Sequence, residues 1–178
     1  IQRAISDEFD VAVSMKQRSN ARGLIGVGHA VGFIYRRIVR DRPIPVLPIL
    51  LNTYFPPNQP SAKRCYQFGQ SIGRAIAELK GDYAHKRVAI CASGGISHFV
   101  VDEDFDRRML NAIRDRDTKT IFAEPEAMFR SGTSETKNWI TVAGILSETN
   151  LQMKLVDYVP SYRSEAGTGC GMAFATWE

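Results

Sequence analysis

Histidine and cysteine are scarce in this sequence, with three of each in 178 residues. Cys65, Cys91 and Cys170 are odd in number and widely separated, with no Cys-x-x-Cys pair. That argues against a disulfide framework and a clustered zinc site, and it suits a reducing cytoplasm. No apolar run approaches the ~18 residues that would cross a bilayer, so no membrane partner is expected. The first residues, Ile1-Gln2-Arg3, lack a basic-then-apolar segment, so no signal peptide is expected. HExxH and DxDxDG motifs are missing. The Gly-Thr-Gly-Cys-Gly run at 167–171 lacks the GxGxxG spacing, and no Walker lysine accompanies it.

What is present reads as one globular unit. At 44% hydrophobic, 10% aromatic and 24% charged, the chain can bury an ordinary core. Its length fits a single domain over 1–178. The net charge of +4 comes largely from Arg36, Arg37, Arg40 and Arg42, with only Asp41 opposing them. A basic cluster can mark a nucleic-acid footprint. This one is short and has little stacking aromatic character beyond Tyr35, so it reads as a solvated helix end and no nucleic-acid partner is expected.

Along the chain, alternation predicts a strand over 9–14, and 15–28 reads as a polar, glycine-punctuated loop. His29 opens a helical pattern carried by Val31, Ile34 and Ile38, broken by Asp41 to Pro45. Val46 to Leu51 is a continuous apolar run, a strand that Pro48 moves toward an edge. After the proline-rich loop 52–60, Ser61 is an N-cap for a helix over 62–79. Arg87 to Ala92 is the clearest strand pattern, leading into the small-residue turn 93–98. Helices are predicted over 102–116 and 136–147, then a short strand over 156–159 and a glycine-rich tail. Strands alternating with long helices imply an α/β fold, a mixed or parallel sheet flanked by helices. Ligand crevices in such sheets lie beyond the carboxyl ends of strands, where His98 would stand.

Among the histidines, His85 sits in a polar connection and reads as a surface residue. His29 lies at a loop-to-helix junction, where it either caps a helix or points into a cleft. His98 is the strongest candidate: Gly94 and Gly95 let the backbone approach a ligand, while Ser93 and Ser97 offer hydroxyls. A Ser97–His98 nucleophilic pair is disfavoured, because adjacent side chains on an extended segment point opposite ways. Glu135 has an ordinary explanation as an acid in the first turn of a helix.

Several segments together resemble the class III extradiol ring-cleaving dioxygenases. They are Asn52-Thr53-Tyr54-Phe55-Pro56-Pro57-Asn58-Gln59-Pro60, Lys63-Arg64-Cys65, and Ser93-Gly94-Gly95-Ile96-Ser97-His98. Ser131-Gly132-Thr133-Ser134-Glu135 with Trp139, and the tail from Tyr158 to Gly169, continue the likeness in order. The most similar group is the catalytic chain of protocatechuate 4,5-dioxygenase with its gallate and 3-O-methylgallate relatives.

The resemblance implies a fold like that catalytic subunit and a non-haem Fe(II) enzyme that opens a catecholic aromatic acid with O2. It makes His98 the acid–base histidine, His29 a pocket histidine, and Glu135 the iron carboxylate. Tyr162, Arg163, Ser164 and Thr168 become the segment that recognises ring substituents, with Arg163 suited to a bidentate pair with an aromatic carboxylate. A face of two histidines and one carboxylate leaves iron positions for catecholate and O2. The family's other two ligands are histidines upstream of the first strand pattern here. The chain is therefore expected to be the C-terminal part of a longer catalytic domain. A cytoplasmic homodimer with a possible small accessory subunit is also expected. The alternative is a non-catalytic homologue serving as a protein-interaction domain on the same fold.

Overall fold

The computed structural model describes residues 1–14 and 26–178, so most of the loop expected over 15–28 lies outside the described residues. The chain divides into two compact units, residues 2–51 and residues 52–178 with Ile1. In the first unit, helix α1 (His29–Ile34) passes into a π-helical turn, Tyr35–Val39. The turn ends at Arg40, a left-handed residue at φ 57°. Arg36 pairs with Asp41 at 3.4 Å in solvent, and the arginine cluster is the solvated helix end that its composition suggests.

The second unit carries helices α2 (Ala62–Ala77), α3 (Glu103–Arg114), α4 (Thr118–Ala123) and α5 (Thr136–Ile145). It also holds a three-stranded antiparallel sheet of β1 (His98–Val100), β2 (Met153–Tyr162) and β3 (Thr168–Trp177), in the order β1-β3-β2. Helices and sheet together are compatible with an α/β class. The parallel or mixed sheet inferred from alternation is not what the described strands form. Segments 9–14, 46–51 and 87–92 are not strands. Their apolar patterning gives a tendency to extend, but a strand needs a neighbour for its N–H and C=O groups. The pairing strands come from elsewhere. The short strand expected over 156–159 runs to ten residues, and the glycine-rich tail is the central strand β3.

Local chemistry sets the helix starts. The Ser61 hydroxyl accepts from the Arg64 amide at 3.1 Å, Asp102 caps α3 through the Phe105 amide at 2.9 Å, and Asp117 caps α4. Helices α2 and α5 pack backbone to backbone. A Cβ on Gly144 would lie 2.1 Å from the Tyr66 carbonyl oxygen, and one on Gly69 equally close to that of Thr141. The core lies between these helices and one face of the sheet, with Phe105, Met109, Ile113, Phe129, Ile140 and Met153 buried in one cluster. Phe105 and Phe129 meet edge to face at 5.8 Å.

On β3, Gly171, Ala173, Ala175 and Trp177 alternate with Cys170, Met172 and Phe174. Ala173, Ala175 and Trp177 pack on the core, and Gly171 is buried on the same face. The opposite face carries the exposed Met172 and Phe174.

Candidate active site

His98 begins β1 rather than following a strand, and it stands directly opposite Cys170 of β3. Residues directly opposite across a ladder share a face, so imidazole and thiol lie side by side. Two backbone bonds fix this seam, from the Ile96 amide to the Gly171 carbonyl at 2.9 Å and from the Gly171 amide to the Ser97 carbonyl at 2.8 Å.

The first turns of α5 tie down the extended segment leading to His98. Asn138 Nδ2 donates to the Ser93 carbonyl at 2.9 Å, Trp139 Nε1 to the Gly94 carbonyl at 2.9 Å, and Thr136 Oγ1 to the Ile96 carbonyl at 3.2 Å. Gly94 has φ 141°, and a Cβ there would come 2.7 Å from Glu135 Oε2. Of the glycines expected to let a ligand approach here, Gly94 lets the Glu135 carboxylate approach, and Gly95 lets the Cys170 thiol and the His98 ring approach.

His98 Nδ1 lies 2.9 Å from the Gly132 carbonyl oxygen. A carbonyl only accepts, so Nδ1 carries the proton and the Nε2 of the neutral ring presents a lone pair. Gly132 can come this close because it lacks a Cβ, which would fall 2.1 Å from the His98 carbonyl oxygen. His98 Nε2 faces Glu135 Oε2 at 3.4 Å, with both side chains partly open to solvent. Two acceptors pointing at each other are stable when a proton on Nε2, or a cation, lies between them. Glu135 is the N-cap of α5 yet makes no side-chain cap bond. Its carboxylate turns to His98 instead of serving the helix end.

Burial, reinforced by the nearby Glu135 and Asp106 carboxylates, raises the Cys170 thiol above its ordinary value and keeps it protonated. Phe99, next to His98, sits at φ 70°. A bulky residue in the left-handed region is strained, and such strain gathers at functional sites.

The hairpin end between β2 and β3 holds the remaining candidates. The Arg163 amide donates to the Thr168 carbonyl at 2.6 Å, and the Ser164 and Thr168 hydroxyls share a bond of 2.6 Å. Arg163, Ser164 and Gly167 help line a shallow, open depression there. Thr168 pairs with Val100, two residues along β1 from His98 and so about 7 Å away. Tyr162 pairs with Gly169 on the alternate face of the sheet, and its hydroxyl donates to Glu103 Oε1 of α3 at 2.9 Å. His29 opens α1 in the first unit and is exposed. His85 is an exposed turn residue.

The structure thus brings His98 and Glu135 together and adds three residues that the sequence reading did not select: Gly132, Cys170 and, behind the seam, Asp106. Among the described residues, no three His, Cys, Asp or Glu side chains gather around one point as a metal requires. A carboxylate beside an imidazole lone pair is only part of a metal-ligand set.

The family model described as the catalytic LigB subunit of aromatic ring-opening dioxygenase matches residues 1–169. Gallate dioxygenase of Pseudomonas putida strain KT2440 is 30% identical over 129 residues, covering 67% of this chain. The match takes in 37% of that protein, so the chain spans little more than a third of its relative's length. No solved structure matches the chain.

Proposed function

Because the chain belongs to the family of the catalytic LigB subunit of aromatic ring-opening dioxygenase, we propose that it is the part of such an enzyme that handles protons during extradiol ring cleavage. The substrate is a catecholic aromatic acid of the gallate, protocatechuate or methylgallate kind, and the oxidant is O2. The similarity to a gallate dioxygenase supports this substrate class. The observation that carries the reading is the His98 pair, with Nδ1 anchored on Gly132 and Nε2 facing Glu135.

With Nδ1 held as a donor, Nε2 is the nitrogen that takes a proton from a ring hydroxyl. The imidazolium so formed is stabilised by the Glu135 carboxylate at 3.4 Å and the Gly132 carbonyl at 2.9 Å. The same nitrogen can then return the proton as a general acid. Arg163, with Ser164 and Thr168 at the hairpin end, would receive the substrate carboxylate and ring substituents. Tyr162 would be a neighbour of the recognition segment, held through Glu103.

The cofactor in this reading is non-haem Fe(II), and Glu135 is its carboxylate ligand. The described residues do not assemble a complete iron site, so the other donors must come from beyond them. The chain would lie within a longer catalytic domain in a cytoplasmic homodimer that a small accessory subunit could join.

Oxygen uptake with gallate and with protocatechuate, measured on the full-length iron-loaded enzyme, tests the reading. His98→Ala should slow turnover by ~10²-fold or more with iron retained. Glu135→Ala should release the iron. Undiminished turnover in the first variant, or full iron content in the second, removes the corresponding role.

A further inference from the structure

The Asp106 carboxyl is fully buried on α3, on the core side of the sheet and behind His98. Its Oδ2 accepts from Ser97 Oγ at 2.7 Å and from the Tyr158 hydroxyl of β2 at 2.7 Å. Its Oδ1 is buried with no hydrogen-bond partner among the described residues. Ser97 immediately precedes His98, and its hydroxyl also accepts from the Asp102 amide at 3.2 Å. A Cβ on Gly171 would fall 1.9 Å from Asp106 Oδ2, so the carboxyl occupies the space where β3 offers no side chain. Gly171 is also the residue that exchanges both backbone bonds with the 96–97 segment.

We propose that Asp106 is a positioning residue for His98, acting through Ser97 to fix the strand from which the imidazole reaches Gly132 and Glu135. This rests on the acid–base role of His98 proposed above. Asp106 never touches the reacting atoms. It holds three elements at one point: α3 by its own backbone, β2 by the Tyr158 hydroxyl, and the His98 segment by the Ser97 hydroxyl.

A buried carboxyl with one unpartnered oxygen carries a desolvation cost that its two hydrogen bonds only partly offset, so stability alone is a weak reason for it. What it supplies is direction. Donating to Asp106 Oδ2 while accepting from the Asp102 amide leaves Ser97 one orientation, and Ser97 in turn sets where the next side chain points on the other face. Burial raises the Asp106 carboxyl above its ordinary range, consistent with a group placed for its hydrogen bonds rather than its charge.

The test compares four variants of the full-length enzyme by three readouts. These are the His98 Nδ1–H resonance in NMR, kcat and KM for gallate, and the thermal midpoint. Asp106→Ala and Ser97→Ala should each lose the protected Nδ1–H signal. Each should also reduce kcat by up to ~10²-fold with KM little changed, the signature of a misplaced catalytic group.

Asp106→Asn keeps an acceptor for both hydroxyls and should retain signal and kcat. Tyr158→Phe removes the other donor and should lower the midpoint while sparing the signal. If Asp106→Ala does not fold, Ser97→Ala decides alone.

Lowered midpoints with the Nδ1–H signal intact in both alanine variants would reduce Asp106 to a structural residue and overturn the proposal. So would equal loss of signal in Tyr158→Phe and Ser97→Ala. The proton signal reports on Asp106 even if His98→Ala proves active, so failure of this inference and failure of the catalytic reading are told apart.

Discussion

The proton transfer proposed for His98 would need its two ring nitrogens to stay distinct, and the Gly132 carbonyl keeps them so. The three thiols make the same point about environment. Cys65 is buried and pushed up to about 12, chiefly by desolvation, against a weaker pull from Lys137. Cys91 is exposed, and Cys170 is partly buried and raised. With a thiol-specific reagent at mild alkaline pH, Cys91 should react first, Cys170 slowly, and Cys65 only on unfolding. Rapid native labelling of Cys65, located by peptide mass mapping, would contradict the buried position.

Asp106 gives a pH dependence with an unusual sign. Burial raises it above its ordinary 3.8, so the folded chain holds this proton more tightly than the unfolded chain does. Its contribution favours the fold fully below 3.8 and is lost as pH rises through the raised native value. Asp106→Asn should flatten that part of the stability curve. Urea melts at several pH values from about 4 to 7 check it, and an unchanged slope would count against a raised carboxyl.

At the scale of elements, the α2–α5 contact reverses an ordinary rule. Glycine inside an exposed helix costs roughly 1 kcal/mol relative to alanine, so Gly→Ala commonly stabilises. A methyl at Gly144 would strike the Tyr66 carbonyl oxygen at 2.1 Å. Gly144→Ala should therefore destabilise by about 1–3 kcal/mol through forced separation of the helices. A denaturant melt showing a gain would mean the helices have room to part. Phe99 makes the opposite case: at φ 70° and largely exposed, it loses little contact on truncation. Phe99→Gly should be neutral or stabilise by up to about 1 kcal/mol, read by the same melts.

For the molecule as a whole, the described residues offer one carboxylate and one facing imidazole but no three-ligand cluster. The 178-residue chain alone should lose added Fe(II) on gel filtration, by metal analysis of the eluted protein. Retention of one iron per chain would show a ligand set that the described residues do not reveal.

Capping and helical spacing placed three helices close to their positions, because a cap and an apolar stripe are local properties. Ordered motifs across the chain were enough to show the family and to single out His98 and Glu135. Strands fared worse. Arg87 to Ala92 has better strand patterning than the glycine-rich 168–177, yet the latter is the central strand. Its small residues are tolerated where backbones and the Asp106 carboxyl crowd against it.

Nothing near Glu135 in sequence says that its carboxylate leaves the helix end for an imidazole 37 positions earlier. Nor does spacing disclose that Asp106 and Cys170 flank His98 on opposite faces of one seam. The sequence by itself determined helix starts, family and the residue types able to move a proton, since these depend on neighbours along the chain. Strand partners, the His98 tautomer and the buried carboxyl behind it were decided by tertiary structure alone, since each depends on groups that only folding brings within bonding distance.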